Sequence, residues 1–260
     1  NLDTVMLGFM KSDIDVGYYN AAVKIKVILV QVVASLGGVL LPRCSYYVEK
    51  GMWAEFKRIC SKALNFVVVI ALPLSVYFII YAQDAIVFLS GAEYLGAIFP
   101  MKIIMPTLLF IGITNILGLQ ILVPLGKERI VLYSEIAGAI TDLLLNIILI
   151  PKFGASGAAM GTLVAEFVVL SVQYVALRKQ LFDIFIKIQY WKIIAATIVS
   201  AVASMFVFYL KLGCFFNIVI SAIVFGIIYL LVLLLLKEKM SKEIIVSLYE
   251  IFERIRKKNG

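Results

Sequence analysis

Uncharged hydrophobic runs long enough to cross a bilayer recur along the chain, between Lys62 and Asp84, Lys102 and Lys127, Lys192 and Lys211, and Lys211 and Lys237. A single signal anchor would account for only one of them. Taken with the polar breaks, the runs predict a helical stub over Asp3–Phe9 and then seven spans of about twenty residues each. These are Val16–Leu41, Ala63–Tyr81, Ile103–Val123, Ile130–Ile150, Ser156–Leu177, Ile193–Leu210 and Leu212–Leu236. Pro and Gly punctuate the ends: Pro42 is expected to close the first span, Pro124-Leu125-Gly126 the third and Pro151-Lys152-Phe153-Gly154 the fourth. After Ser241, Ile244, Leu248, Ile251, Phe252 and Ile255 recur at helical spacing among Glu243, Glu250, Arg254 and Lys258. That stripe predicts an amphipathic helix on the inner leaflet, with a frayed, solvated terminus as the alternative.

Composition supports the membrane reading and narrows the chemistry. Hydrophobic residues make up 63% of the chain and charged ones 15%, with a mean hydropathy of +1.05, more apolar surface than a water-soluble domain could carry. No histidine is present, and Cys44, Cys60 and Cys214 have neither paired nor metal-ligand spacing, so the thiols read as structural and no metal site or cofactor is expected. The chain opens on Asn1-Leu2-Asp3-Thr4-Val5-Met6-Leu7-Gly8, without a methionine, a basic region or a cleavage site, and reads as a fragment that starts inside a helix.

A formal charge of +8 could suggest a nucleic-acid partner, but the bases fall in the gaps between spans rather than on a soluble patch. Alternate gaps are the basic ones. One set holds Arg43, Lys50, Lys57, Arg58 and Lys62, then Lys127 and Arg129, then Arg178, Lys179, Lys187 and Lys192, then the C-terminal tail. The other holds only Lys11, Lys102, Lys152 and Lys211. This asymmetry places the first set, and the C-terminus, in the cytoplasm.

Ionisable groups inside spans are expensive, about 3 kcal/mol at mid-bilayer, and therefore mark function. Asn20, Lys24, Gln31 and Ser35 share one face of the first span, while Lys26 lies about 200° round from Lys24, so the two cannot enter one cavity. Lys24 sits about 12 Å in from the outer end, beyond easy snorkelling reach, and is expected to line a cavity. Glu135, Asp142 and Asn146 share a face of the fourth span, Thr162, Glu166 and Gln173 one of the fifth, and Thr107, Thr114 and Asn115 one of the third. Several polar seams turned to a common interior suit a transport cavity. The competing reading makes them hydrogen bonds between helices, favoured for the Ser, Thr and Asn members; for Asp142 and Glu166, an ion pair with Lys24 stands against a substrate or proton role. Gly157 and Gly161 are expected to let two helices approach closely, and lack the flanking strand and lysine of a phosphate loop.

Leu2-Asp3-Thr4-Val5-Met6-Leu7-Gly8, Val16-Gly17-Tyr18-Tyr19-Asn20-Ala21-Ala22-Val23-Lys24-Ile25 and Leu40-Leu41-Pro42-Arg43 resemble the start of the C-terminal half of oligosaccharide flippases, members of the multidrug, oligosaccharidyl-lipid and polysaccharide exporter superfamily. The stretches Leu119 to Glu128 and Asn146 to Glu166 are similar to its other recurring segments, and the resemblance covers Leu2 to Leu177. It implies an all-α integral membrane fold: residues 1–177 as the C-terminal lobe of a two-lobed bundle, 178–240 as two further spans and 241–260 as a cytoplasmic tail. The stub becomes helix seven and the seven spans helices eight to fourteen.

The resemblance further implies alternating access by rocking lobes, with an undecaprenyl-diphosphate-linked oligosaccharide moved to the outer leaflet of a bacterial cytoplasmic membrane. Related peptidoglycan-precursor flippases carry a basic residue near Lys24, a suitable partner for a diphosphate. Asp142 departs from the pattern, where asparagine is expected. The implied partners are the lipid-linked oligosaccharide, membrane lipids, an N-terminal lobe of the same polypeptide and polysaccharide polymerase machinery. The rival readings are a cation-coupled multidrug exporter of the same superfamily, a membrane-embedded polymerase or glycosyltransferase, and a purely structural membrane subunit. The enzyme reading is the weaker because no inner loop combines an acid cluster with a nucleophile or metal ligands.

Overall fold

The computed structural model describes residues 2–35, 37–186, 188–210 and 213–238, and every element in it is helical. The helices are α1 (Leu2–Met10), α2 (Asp13–Ala34), α3 (Gly37–Glu49), α4 (Trp53–Ile80), α5 (Ala82–Ser90), α6 (Ile98–Ile104), α7 (Thr107–Asn115), α8 (Glu128–Phe153), α9 (Ala155–Ile186), α10 (Tyr190–Met205) and α11 (Cys214–Leu235). Six of these, α2, α4, α8, α9, α10 and α11, are long and apolar enough to cross a membrane. The pair Ala92–Ile104 and Thr107–Leu122 is apolar enough when taken together, and bends by 48° at its break, Met105-Pro106, as a broken span or a re-entrant loop does. The stub and six of the seven expected spans thus correspond to helices, and the third expected span, Ile103–Val123, falls on the bent pair. The tail from Ser241 lies outside the described residues.

Two boundaries differ from expectation, for one physical reason. The first span ends at Ala34, not Leu41, and Pro42 lies inside the separate helix α3 instead of terminating α2. The basic stretch from Arg43 to Lys62, expected as a loop, is therefore mostly helix, and α4 starts ten residues before Ala63. Pro73 and Pro151 also sit within helices. A proline deletes one backbone hydrogen bond, and in a packed membrane bundle neighbouring groups can offset that loss, so proline marks a stop less reliably than in water.

α8 and α9 form the most closely packed pair, and α9 also packs against α6 and α7. Small residues make this possible: a Cβ added at Gly157 would fall 2.3 Å from the Leu149 carbonyl oxygen, so the two backbones touch there, as the Gly157/Gly161 spacing predicted. The connection turns at Gly154, whose φ of 57° leaves no room for a side chain because Asp15 Oδ1 lies 2.2 Å from where its Cβ would be. Asp15 in turn accepts a hydrogen bond from the Ala155 N–H at 3.3 Å, tying the start of α2 to the α8–α9 turn.

α10 and α11 pair with each other and lean on α4 and α5. Tyr77 of α4 donates to the Ile218 carbonyl at 2.8 Å, and Tyr229 of α11 donates to the Val69 carbonyl at 2.7 Å. At one end of the bundle Asn217 donates to Asp84 at 2.6 Å; at the other, Asn65 donates to Glu238 at 2.9 Å and Lys192 to the Lys237 carbonyl at 3.3 Å. Lys62, Lys192 and Lys237 thus belong to one end, and the turns carrying Lys11 and Lys152 meet at the other. The large exposed side chains of α8 and α9, among them Ile140, Leu144, Ile148, Phe167 and Val175, form the apolar exterior expected against lipid.

Candidate functional site

Asp3 lies at the start of the short helix α1, and burial among apolar neighbours obliges its carboxylate to find donors. Three arrive from three helices. Tyr19 of α2 donates to Oδ2 at 2.5 Å, Asn146 of α8 donates through Nδ2 to Oδ1 at 2.9 Å, and the Thr162 hydroxyl of α9 lies 3.4 Å from Oδ2. Tyr19 and Thr162 also bond each other at 3.0 Å, and Thr162 reaches back to the Ala158 carbonyl at 3.1 Å. Asp3 is therefore the knot at which α1, α2, α8 and α9 are joined. The sequence reading did not single it out; the available signal was an acid standing alone in the apolar stretch Leu2–Phe9.

Beside this knot opens a cavity of about 300 Å³, walled by Asp3, Lys26, Glu135, Asp142, Thr162 and Glu166 among others. Asp142 lines this cavity together with Asp3, Glu166 and Lys26. Asp142 Oδ1 and Asn146 Oδ1 are both buried without a protein partner, and both approach Gly161, at 3.1 Å and 2.4 Å from the position a Cβ there would take. The polar groups of this centre are carboxyl and hydroxyl oxygens together with the Asn146 amide and the Lys26 ammonium. Such a set is unsuited to soft metals. Among the described residues no group of three or more His, Cys, Asp or Glu side chains stands close enough to form a metal cluster.

The expected seams are only partly brought together. Glu135, Asp142 and Glu166 do share one cavity, and Asn146 adjoins it through Asp3. The expected ion pair of Lys24 with Asp142 or Glu166 is corrected: Lys26 lines the cavity with the acids, because α2 packs on α9 with the face opposite Lys24. Asn20, Lys24, Gln31 and Ser35 all lie on an exposed face of α2. Asn20 accepts from Thr4 at 3.2 Å and Ser35 donates to the Val32 carbonyl at 2.8 Å, so both are engaged locally. Thr107 and Thr114 donate to the carbonyls of Ile104 and Ile111 within their own chain segment, and Gln173 donates to Ser134 at 3.0 Å, joining α9 to α8. Of these members only Gln173 makes a contact between helices. Past Asn115 the backbone widens into a π-helical stretch, Ile116–Leu122; Asn115 Oδ1, just before it, and Gln120 Oε1, within it, are buried without a protein partner.

A second cavity, about 550 Å³ in volume, is an apolar groove between α4 and α11 that reaches Val32 of α2. Pro73, Tyr77, Ile218, Phe225 and Gly226 are among the residues that line it.

A bundle of long apolar helices in which ionisable side chains from four helices line one cavity defines a multi-pass helical membrane protein. Residues 9–233 match the family described as Lipid II flippase MurJ, and the chain belongs to that family. The fold agrees: a solved structure titled "Lipid II flippase MurJ, inward closed conformation" superposes with a TM-score of 0.72 at 18% identity, over 88% of this chain and 48% of that one. Among curated proteins, an uncharacterized membrane protein of Methanocaldococcus jannaschii, MJ1068, is 29% identical over 240 residues, which is 92% of this chain and 46% of that protein. Two proteins of Haloferax volcanii are also similar: probable flippase AglR, 25% identical over 63% of this chain and 35% of its own length, and probable low-salt glycan biosynthesis flippase Agl15, 21% identical over 62% and 34%. The chain spans less than half the length of these relatives.

Proposed function

We propose that the chain is the C-terminal lobe of a flippase that carries a polyprenyl-diphosphate-linked oligosaccharide across the cytoplasmic membrane by alternating access, with α10 and α11 as its two additional spans. The observation that carries this reading is the layout of α2. Its exposed seam of Asn20, Lys24, Gln31 and Ser35 lies about 80° from Val32, where the apolar groove begins. A polar route for a charged headgroup running beside a groove fit for a hydrocarbon chain suits an amphipathic lipid cargo. A multidrug substrate would have no need of the pairing.

In this reading Lys24 contacts the diphosphate, and Asn20, Gln31 and Ser35 continue the route for the sugar. The acidic centre behind α2 sets the energetics of the rocking motion. The basic end, with Lys62, Lys192 and Lys237, faces the cytoplasm, and the second lobe of the polypeptide closes the cavity over the seam. Flippase action makes and breaks no covalent bond, so the lobe is a transporter and not an enzyme. The test is export of surface polysaccharide or glycan by the full-length polypeptide carrying Lys24→Ala, in a strain lacking the wild-type protein. Lipid-linked oligosaccharide should accumulate on the cytoplasmic face; undiminished export at equal expression would remove Lys24 from the route.

A further inference from the structure

Of the chain's three cysteines, the fold brings two together that the sequence sets sixteen residues apart. Helices α3 and α4 form a hairpin that reverses at Gly51, whose φ of 67° favours a residue without a side chain. Cys44 lies about 10 Å before this turn along α3 and Cys60 about 13 Å after it along α4, so the two come nearly level. Helical phase agrees. On α4, Phe56, Cys60, Ala63 and Val67 form one buried stripe, and on α3 Cys44 is buried between exposed Arg43 and Ser45. The two thiols hydrogen-bond, Cys60 donating to the Cys44 sulfur, and each residue is only 1% exposed. Cys214, at the start of α11, lies at the opposite end of the bundle. On the outer faces of the hairpin Arg43, Lys50, Lys57 and Arg58 are exposed and outnumber Glu49 and Glu55, a positive surround that favours a thiolate. The bond from Cys60 acts in the same direction and holds the Cys44 thiol below its ordinary range. An activated thiol in contact with a second thiol is the arrangement that oxidises to a disulfide.

We propose that Cys44 and Cys60 are an oxidisable dithiol, a modification site for a peroxide, whose disulfide clamps α3 onto α4. The Cys44 sulfur attacks one peroxide oxygen; the S–O bond forms, the O–O bond breaks and the thiol proton leaves with the second oxygen as water. The Cys60 sulfur then attacks the Cys44 sulfur; the S–S bond forms, the S–O bond breaks and the Cys60 proton leaves with that oxygen as a second water. Two electrons pass from the sulfurs to the peroxide, and a dithiol reductant reverses the change. Both sulfurs are enclosed, so the reaction waits on α3 lifting from α4, and the disulfide then forbids that movement. Helix α3 is the next after α2, which carries the Lys24 seam, and it also packs on the π-helical stretch Ile116–Leu122. Clamping it restrains the end of α2 and of the bent pair together. The dithiol stands on these contacts alone; its effect on transport rests on the flippase reading.

In the test, purified full-length protein in detergent micelles is treated with hydrogen peroxide, denatured, alkylated and digested with trypsin. Cleavage after Arg43, Lys50, Arg58 and Lys62 should release residues 44–50 and 59–62 as one disulfide-linked species, from protein that runs as a monomer without reductant. Dithiothreitol should abolish the link, Cys214→Ser should keep it, and Cys44→Ser and Cys60→Ser should lack it. Oxidised wild type should melt about 5 °C above the reduced form, a shift absent from Cys44→Ser and Cys60→Ser. Reconstituted in vesicles with a polyprenyl-diphosphate-linked oligosaccharide, oxidised wild type should lose most of its transport and regain it with dithiothreitol, while Cys60→Ser should be indifferent to peroxide. Absence of the linked species from folded wild type would overturn the dithiol, and that readout requires no variant to fold. A linked protein that transports as fast as the reduced one would overturn the clamp. A protein that forms the link and moves no lipid even when reduced would refute the flippase reading while upholding the dithiol, so the two errors give different results.

Discussion

Replacing Asp3 tests whether the four-helix knot holds the lobe together. Asp3→Ala removes the acceptor of Tyr19, Asn146 and Thr162 at once. Hydrogen bonds between membrane helices contribute about 0.6 kcal/mol on average and up to about 1.7 kcal/mol, and an orphaned buried donor adds about 1 kcal/mol or more. The three losses are unequal. Tyr19 and Thr162 still have each other at 3.0 Å, and Thr162 keeps the Ala158 carbonyl, whereas the amide N–H of Asn146 is left without its acceptor. Relief of repulsion with Asp142 offsets part of the cost. The expected destabilisation is about 2–4 kcal/mol. Asp3→Asn retains one acceptor oxygen, and its new N–H can donate to the unpartnered Oδ1 of Asp142, so it should cost about 1 kcal/mol or less. Equilibrium unfolding of the full-length protein in mixed micelles, titrated with a denaturing detergent, reads both numbers. An Asp3→Ala protein as stable as wild type, or an Asp3→Asn protein less stable than Asp3→Ala, would refute the knot.

Two further substitutions probe the packing and the groove. Gly157→Ala should destabilise by about 1–3 kcal/mol in the same unfolding assay, because its Cβ would meet the Leu149 backbone at 2.3 Å and only a separation of α8 from α9 relieves the contact; a neutral result would mean that the two backbones do not touch. Gly226→Leu projects into the apolar groove from a position with no atom within 4 Å, so its stability should stay within about 0.5 kcal/mol of wild type while export of lipid-linked oligosaccharide falls; unchanged export at equal expression would remove the groove from the lipid route.

What could be read from the sequence follows from which properties belong to one helix and which to a pair. Hydropathy is a property of each segment with its solvent, and so the long apolar runs appeared as spans even where one of them bends at Pro106. Helical phase is likewise internal to a segment, which is why the opposition of Lys24 to Lys26 could be stated from spacing alone. Which of the two lines the cavity with the acids is a property of how α2 sits against α9, and no arithmetic within α2 contains it. Proline misled at Pro42 alone, for a related reason. At Pro106 and Pro124 it lies where a helix breaks, whereas at Pro42, Pro73 and Pro151 the helix continues through it, because the lost hydrogen bond can be offset by neighbours that the local sequence does not name. Asp3 escaped notice because α1 is only nine residues long, too short for a polar face to declare itself by period. The applicable rule was the cruder one, that an ionisable group among apolar residues in a membrane must have partners, and here those partners lie 143 and 159 residues away in sequence. The same rule, applied to Lys26 instead of Lys24, points to the acidic cavity, because Lys26 is the span lysine that lines it beside Asp3, Glu135, Asp142 and Glu166.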